Sequence, residues 1–150
     1  MKKKLTKLEE IINRTLILIS KIPPEKRNNL WFGEWDLKDV LAHLSGWCQH
    51  QLECFTAMEE KREPSWRESI DDYNNQQVEL RRKRDWDEVF SELTSLTNKL
   101  LYNYRDLSKT QWEHKFWKNR SFTPKKLLDI ELRHWSNGHL PEIERVFRHH

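Results

Sequence analysis

Apolar residues recur every three or four positions along four long stretches of this chain, which is the spacing of one face of an α-helix. The clearest stripe lies in the second stretch, and its members are Leu37, Leu41, Leu44, Cys48, Leu52 and Phe55. The 150 residues include only 3 glycines and 5 prolines, so little interrupts long helices. The pattern predicts an all-α protein, and the length predicts a single domain over residues 1–150.

Capping residues and prolines predict the limits of the first two long helices. The first helix is expected to begin at Thr6, whose hydroxyl can cap it. Pro23 and Pro24 end it, because neither ring donates a hydrogen bond and a proline disfavours helix in the residue before it. The second helix opens at Asp36, a good N-cap, and is expected to run to about Lys61.

The second half of the chain predicts two further long helices and one short one. The third long helix begins at Asp85, and the fourth begins at Thr123 with a proline in its first turn. Residues 65–84 are expected to form a polar helix, and residues 107–122 a loop. We therefore expect a four-helix bundle with an additional short helix in the connection between bundle helices 2 and 3.

The charge balance argues against a nucleic-acid binding protein. The chain carries 27 basic and 24 acidic residues, a net charge of +3, so its surface is mixed in sign. The N-terminal lysines and the basic run 81–84 are expected to be solvated helix ends. Nucleic acid is therefore not the expected partner.

Hydropathy and cysteine usage predict a cytoplasmic protein with no membrane partner. No apolar run approaches a membrane span, and no hydrophobic segment follows the N-terminal lysines. Cys48 and Cys54 are six positions apart, about 9 Å along one helix, which is too far for a disulfide between them. Two thiols that cannot pair with each other suit a reducing compartment. Cys54 shares a stripe with His50, so a thiolate–imidazole pair stands as an alternative to a buried structural cysteine.

Two histidines on different helices are the candidates for a functional site. His43 and His139 each lie on or beside an apolar helical stripe, and imidazole is the commonest metal ligand. We expect the two imidazoles to face one cavity. A catalytic zinc usually takes three protein ligands, and a helix supplies two most easily at positions i and i+4.

The third ligand of such a metal site is missing from the sequence. Trp135 stands four residues before His139, where a second ligand from that helix would lie. His134 is rotated by about 100° from that position, so we expect it to point elsewhere. His50 is about 10 Å along the helix from His43, too far to share an ion with it. The incomplete set predicts a protein without a cofactor, and zinc or nickel at His43 and His139 is the alternative.

Several short motifs resemble the DinB/YfiT-like four-helix bundle superfamily. The run 39–47, Asp-Val-Leu-Ala-His-Leu-Ser-Gly-Trp, resembles its second-helix motif, and 139–143, His-Leu-Pro-Glu-Ile, resembles its last-helix motif. The DfsB-like (DUF1706) branch, which includes a colibactin self-protection protein, is the more similar. The similarity to this branch rests on four parts of the chain: residues 44–47, Trp66, residues 72–74, and residues 116–119 leading to Thr123. It extends over about residues 5–147.

The resemblance implies a pocket that holds a reactive small molecule beside a polarised water. The groups that could orient the water, and are therefore the catalytic candidates, are His43, His50 and Asn119. Pocket residues are expected to be His43, Trp47, His50, Trp117, Trp135 and His139, with the tryptophans stacking on a flat ligand. The expected function is a metal-independent hydrolase or a detoxifying, self-protection enzyme that acts on a small molecule.

Two other functions stay open on the sequence. One is a DinB-type divalent-metal enzyme that uses His43, His139 and a third ligand. The other is a non-catalytic binding or interaction bundle, such as a homodimer, in which the aromatic residues are only core. His149 and His150 bear on the first alternative, because a terminal histidine pair, whether native or left from a tag, binds nickel independently of any site.

Overall fold

A computed structural model of the protein describes residues 1–148, and it is all-α over that range. His149 and His150 lie outside the described residues. Regular structure within residues 1–148 is helical, apart from one isolated bridge between Phe32 and Trp35. None of the helices among these residues combines the length and apolar character needed to cross a membrane.

The chain divides into two compact units. One consists of Met1–Pro23 together with the chain from Leu101 onward, and the other is Pro24–Leu100. We call them the terminal unit and the central unit. The single domain over residues 1–150 stays a prediction.

The central unit is built from three helices and one helical turn. They are α2 (Pro24–Arg27), α3 (Leu37–Glu59), α4 (Ile70–Arg81) and α5 (Trp86–Arg105), of which α5 continues past the unit boundary at Leu100. Helix α3 packs against α4. Buried apolar side chains from these helices form its core, among them Leu37, Val40, Leu41, Tyr73, Val78, Val89 and Leu93.

The terminal unit pairs the first helix with the last helical stretch. Its elements are α1 (Lys2–Ser20), α6 (Lys109–Trp112), α7 (Pro124–Arg133), a π-helical segment (His134–His139) and α8 (Leu140–Arg148). Helix α1 packs against α7, the π-helical segment and α8. The buried side chains along this seam include Leu8, Ile12, Ile19, Leu128, Trp135, Ile143 and Val146. An ion pair of 2.7 Å between Lys4 and Asp129 lies at its exposed edge.

Three of the predicted helix starts are confirmed by hydrogen bonds. Asp36 caps α3 by accepting from the backbone N–H of Asp39, whose carboxylate in turn accepts from the backbone of Asp36. Asp85 accepts from the N–H of Glu88 at 2.8 Å, and Thr123 accepts from the N–H of Lys126. Each cap satisfies a donor that has no partner inside its helix.

Three expectations about local structure are wrong. Helix α1 begins at Lys2, and the Thr6 hydroxyl donates to the Lys2 carbonyl inside the helix rather than capping it. The polar helix predicted over 65–84 is limited to Ile70–Arg81, because Ser69 caps it by accepting from the N–H of Asp72. The loop predicted over 107–122 contains the short α6, capped by Ser108.

Gly46 allows the close packing of α3 and α4. A Cβ atom at Gly46 would lie 2.3 Å from Cγ and 2.7 Å from Cβ of Gln77, distances that real atoms do not reach. Glycine inside a helix costs about 1 kcal/mol relative to alanine, so its presence here has a packing reason. The crossing of α3 and α4 at Gly46 places the first turns of α4 beside the face of α3 that carries His43.

Candidate ligand-binding site

Asn74 of α4 connects two of the predicted pocket residues on α3. Its Oδ1 lies 2.8 Å from Nδ1 of His43 and accepts from Nε1 of Trp47 at 2.6 Å. All three side chains are half-buried. His43 and Trp47 are one helical turn apart, so one amide oxygen from a neighbouring helix can reach both rings.

The hydrogen bond to Asn74 defines the tautomer of His43. An amide oxygen only accepts hydrogen bonds, so Nδ1 of the neutral imidazole carries the proton. The basic lone pair is then on Nε2, the nitrogen that would take a proton from water or bind a metal ion. The ring of Trp35 packs beside this imidazole with the centroids 5.4 Å apart. The contact with Asn74 therefore orients the His43 ring and favours the tautomer with the proton on Nδ1.

Tyr73 holds α4 in the register that brings Asn74 to this position. Its hydroxyl is buried and donates to the carbonyl of Gly46 at 2.6 Å. Its ring packs edge-on against Trp47, with the centroids 4.8 Å apart. The motif Leu44-Ser45-Gly46-Trp47 thus supplies both the gap for α4 and the carbonyl that anchors it.

His50 lies one turn further along α3, and its ring completes an aromatic cluster. Its centroid is 5.5 Å from Trp47 and 6.0 Å from Tyr73. Burial lowers the pKa of His50 below its ordinary value of 6.5, and the positive charge of Arg67 lowers it further. His50 is therefore neutral at neutral pH.

The thiolate–imidazole pair of Cys54 and His50 is contradicted by the environment of the thiol. Burial, with a further contribution from the charge of Glu53, raises the pKa of Cys54 to about 12. A thiol with that pKa is almost entirely protonated at neutral pH, so it lacks the charge of a nucleophile. Cys54 and Cys48 are both buried, and neither forms a disulfide among residues 1–148.

The last helical stretch departs from α-geometry where its histidines lie. His134–His139 is π-helical, and the N–H of Leu140 donates to the carbonyl of Trp135, five residues earlier. The nearby Pro141 explains this departure, because a proline ring inside an α-helix clashes with the carbonyl four residues before it. A π-turn widens the helix at that point, and such turns occur frequently at functional sites.

The π-turn overturns the expectation that His134 points away from His139. The two imidazoles are five residues apart, and their ring centroids are 6.2 Å apart. In an α-helix this spacing would rotate one ring about 140° from the other. Burial, followed by the charge of His139, lowers the pKa of His134. His134 is exposed, and its ring lies beside that of His139 because the segment is π-helical.

Trp135 and His139 have defined surroundings in the terminal unit. Nε1 of the buried Trp135 donates to the Glu131 carboxylate at 2.9 Å. The Trp135 ring contacts the His139 ring edge-on, with the centroids 5.8 Å apart. Nδ1 of His139 lies 3.7 Å from the Glu142 carboxylate. The N–H of Trp135 therefore bonds within its own helical stretch, and its ring packs against the ring of His139.

The remaining predicted residues lie in the loop between α6 and α7. Trp117 is buried and contacts Phe116 and Phe122 edge-on. A backbone hydrogen bond of 3.0 Å from Phe116 to Phe122 closes the loop, and Asn119 is exposed within it. Trp117 therefore anchors the loop, while Asn119 extends into solvent.

The predicted pocket residues fall in both units. His43, Trp47 and His50 belong to the central unit, and Trp117, Asn119, Trp135 and His139 belong to the terminal unit. One cavity shared by His43 and His139 stays a prediction. Within residues 1–148, no group of three or more His, Cys, Asp or Glu side chains is arranged to hold a metal ion.

Two residues have clear roles in the structure but were not predicted from the sequence. Asn74 orients His43, and its only signal was the segment 72–74 quoted for the family likeness. Arg67 lies over the ring of Tyr73, with Cζ 4.7 Å from the ring centroid. A lone arginine in a connector gives no signal of this contact in the sequence.

Comparisons with known proteins leave the family open. No family model, no curated protein and no solved structure matches the chain.

Proposed function

We propose that the chain is a DinB/DfsB-like four-helix bundle that hydrolyses a small electrophilic molecule with water activated at His43. The observation that carries the proposal is the Asn74 oxygen, which lies 2.8 Å from Nδ1 of His43 and accepts from Nε1 of Trp47. An imidazole oriented by a side-chain acceptor at one nitrogen and basic at the other is the arrangement of a general base.

The proposed reaction balances with water as the only co-reactant. Nε2 of His43 takes a proton as the water oxygen bonds to the electrophilic carbon. The bond from that carbon to its leaving atom breaks, and the electron pair stays on the leaving atom. The imidazolium then returns the proton to the leaving atom, so the base is restored. The Asn74 oxygen stabilises the charged imidazolium through the Nδ1 hydrogen bond.

The test uses an epoxide as the electrophile, because ring strain supplies the driving force without a cofactor. Purified protein is incubated with phenyl glycidyl ether in oxygen-labelled water, and the labelled diol is measured by mass spectrometry. We expect His43→Gln to lower kcat by about 100-fold to 10,000-fold. Asn74→Ala should lower it by about 10-fold to 100-fold, while Asn74→Asp, which keeps the acceptor, should restore much of the rate.

The matched control is His114→Gln, which changes an exposed histidine of the terminal unit. Its turnover should equal that of the unchanged protein. Diol formation that is insensitive to His43→Gln would exclude His43 as the base. Equal rates in Asn74→Ala and Asn74→Asp would exclude the orienting role of the amide oxygen.

A second candidate is a divalent-metal enzyme that uses His43 and His139 with zinc or nickel. The observation in its favour is the π-turn, which brings the His134 and His139 rings to 6.2 Å and so offers a second histidine on the last helix. Metal analysis of protein purified without nickel affinity tests this candidate, with His149 and His150 deleted. Stoichiometric metal that is lost in both His134→Ala and His139→Ala would favour it, and metal-free protein with no affinity on titration would exclude it.

A further inference from the structure

Arg67 lies against an aromatic surface next to the candidate base. Its guanidinium covers the ring of Tyr73, and that ring contacts Trp47, which shares the Asn74 oxygen with His43. We call Trp47, His50 and Tyr73 the aromatic platform. The chain of contacts from Arg67 to His43 runs wholly within the central unit.

The Trp47 N–H and the Tyr73 hydroxyl of the platform are occupied, whereas Arg67 has hydrogen-bonding capacity to spare. The Tyr73 hydroxyl and the Trp47 N–H are both bound at 2.6 Å. A guanidinium has five N–H donors, and that of Arg67 makes one long contact, 3.5 Å from Nη2 to the Glu53 carboxylate. Its Nε is buried and has no hydrogen-bond partner within residues 1–148.

The connector that carries Arg67 is held beside the platform by Glu53. One oxygen of this carboxylate accepts from the backbone N–H of Ser65 at 3.4 Å, and the other lies near Arg67. Charged hydrogen bonds between arginine and carboxylates usually measure about 2.7–2.9 Å, so the contact at 3.5 Å is a loose one. The Arg67 side chain is 35% exposed, which leaves it accessible to a ligand.

We propose that Arg67 binds the carboxylate of an aromatic ligand whose ring packs against the half-buried Trp47 and His50 of the platform. This inference rests on the proposed small-molecule function and names its substrate class. A carboxylate matches the planar guanidinium with two parallel hydrogen bonds. A doubly charged phosphate fits less well, because the Glu53 carboxylate remains close by.

The experiment compares two probes of the same shape, 2-naphthoate and uncharged 2-naphthamide. Binding is measured by calorimetry, and the Arg67 Nε–H resonance is followed by NMR. We expect naphthoate to bind about tenfold more tightly than naphthamide and to shift that resonance. Arg67→Gln should bring the two affinities together, a change in selectivity that a merely structural role would not produce.

The matched control is Arg62→Gln, because Arg62 lies in the same connector but is paired with Glu60 at 2.8 Å. It should keep the preference for naphthoate. Glu53→Gln provides a second test if Arg67→Gln does not fold. It removes the competing carboxylate and keeps an acceptor for Ser65, so naphthoate should bind about threefold more tightly with naphthamide unchanged.

Four results would overturn the proposal: equal binding of the two probes, no binding of naphthoate up to about 5 mM, a preference that survives Arg67→Gln, or tighter binding of 2-naphthyl phosphate. Failure of the proposed hydrolysis is a separate result. Naphthoate selectivity that depends on Arg67, without epoxide turnover that depends on His43, would keep the carboxylate site and remove the hydrolase.

Discussion

The two helices that carry the candidate histidines hold them in opposite ways. Helix α3 is regular, and His43 is oriented from outside it by Asn74 of a neighbouring helix. The last helical stretch is irregular, and His139 is surrounded by His134 and Trp135 of its own π-turn. One histidine thus depends on a crossing between helices, and the other depends on a local change of helix geometry.

Glycine shows the same contrast. At Gly46 an added Cβ would collide with Gln77, while at Gly138 it would meet nothing within 4 Å. The first glycine is required by a close approach of two helices. The second lies in the widened turn, where it is not needed for space. Gly46 therefore indicates close packing of two helices. Gly138 lies where the helix geometry changes and no neighbouring atom requires a glycine.

The largest expected effect on stability comes from Gly46→Ala. The forced contact with Gln77 should lower the free energy of unfolding by about 1–3 kcal/mol, because α4 must move away. Gly138→Ala is the paired variant and should change it by less than about 1 kcal/mol, with a gain if helix propensity dominates. Urea denaturation followed by circular dichroism measures both. Equal losses at the two positions would remove the contrast between the regions.

The next effect comes from the two tryptophan hydrogen bonds. Trp135→Phe removes a buried bond to the Glu131 carboxylate and should cost about 2 kcal/mol. Trp47→Phe removes a half-buried bond to a neutral amide and should cost about 1 kcal/mol. Urea denaturation followed by circular dichroism compares the losses of unfolding free energy in the two variants. A larger loss for Trp47→Phe would mean that Asn74 contributes more to the fold than its exposure indicates.

The smallest effect is a pH dependence from His50. Its folded pKa lies below 6.5, so the unfolded chain binds a proton first as pH falls, and stability should decline below about pH 6.5 until the folded pKa is passed. His50→Gln should flatten this part of the stability curve. The exposed His114→Gln serves as the control. An unchanged slope in His50→Gln would contradict the burial of that imidazole.

Much of the secondary structure could be predicted because its causes are local. Asp36, Asp85 and Thr123 bind backbone groups three residues away, so a few letters of sequence specify each helix start. Thr6 failed as a cap because its hydroxyl also reaches the Lys2 carbonyl inside a helix. A Ser or Thr near a helix start permits both arrangements, and the continuation of the helix to Lys2 decides between them.

The sequence predicted only those residues of the candidate site that the spacing of a regular α-helix places on one face. His43 and Trp47 are four positions apart, so the spacing of an α-helix places them on one face. That spacing could not name Asn74, which is 31 positions from His43 and becomes its neighbour only where α4 crosses α3. It also placed His134 away from His139, because a regular α-helix has 3.6 residues per turn and the last helical stretch is π-helical at that point.

The sequence by itself determined the all-α class, the capped helix starts and the stripe that carries His43, since these depend on contacts within a few residues. Tertiary structure decided the tautomer of His43, the suppressed reactivity of Cys54 and the position of Arg67 over Tyr73. Those properties depend on burial and on atoms brought from distant parts of the chain. The spacing of residues along the chain does not specify these properties, because they arise only when the helices pack against one another.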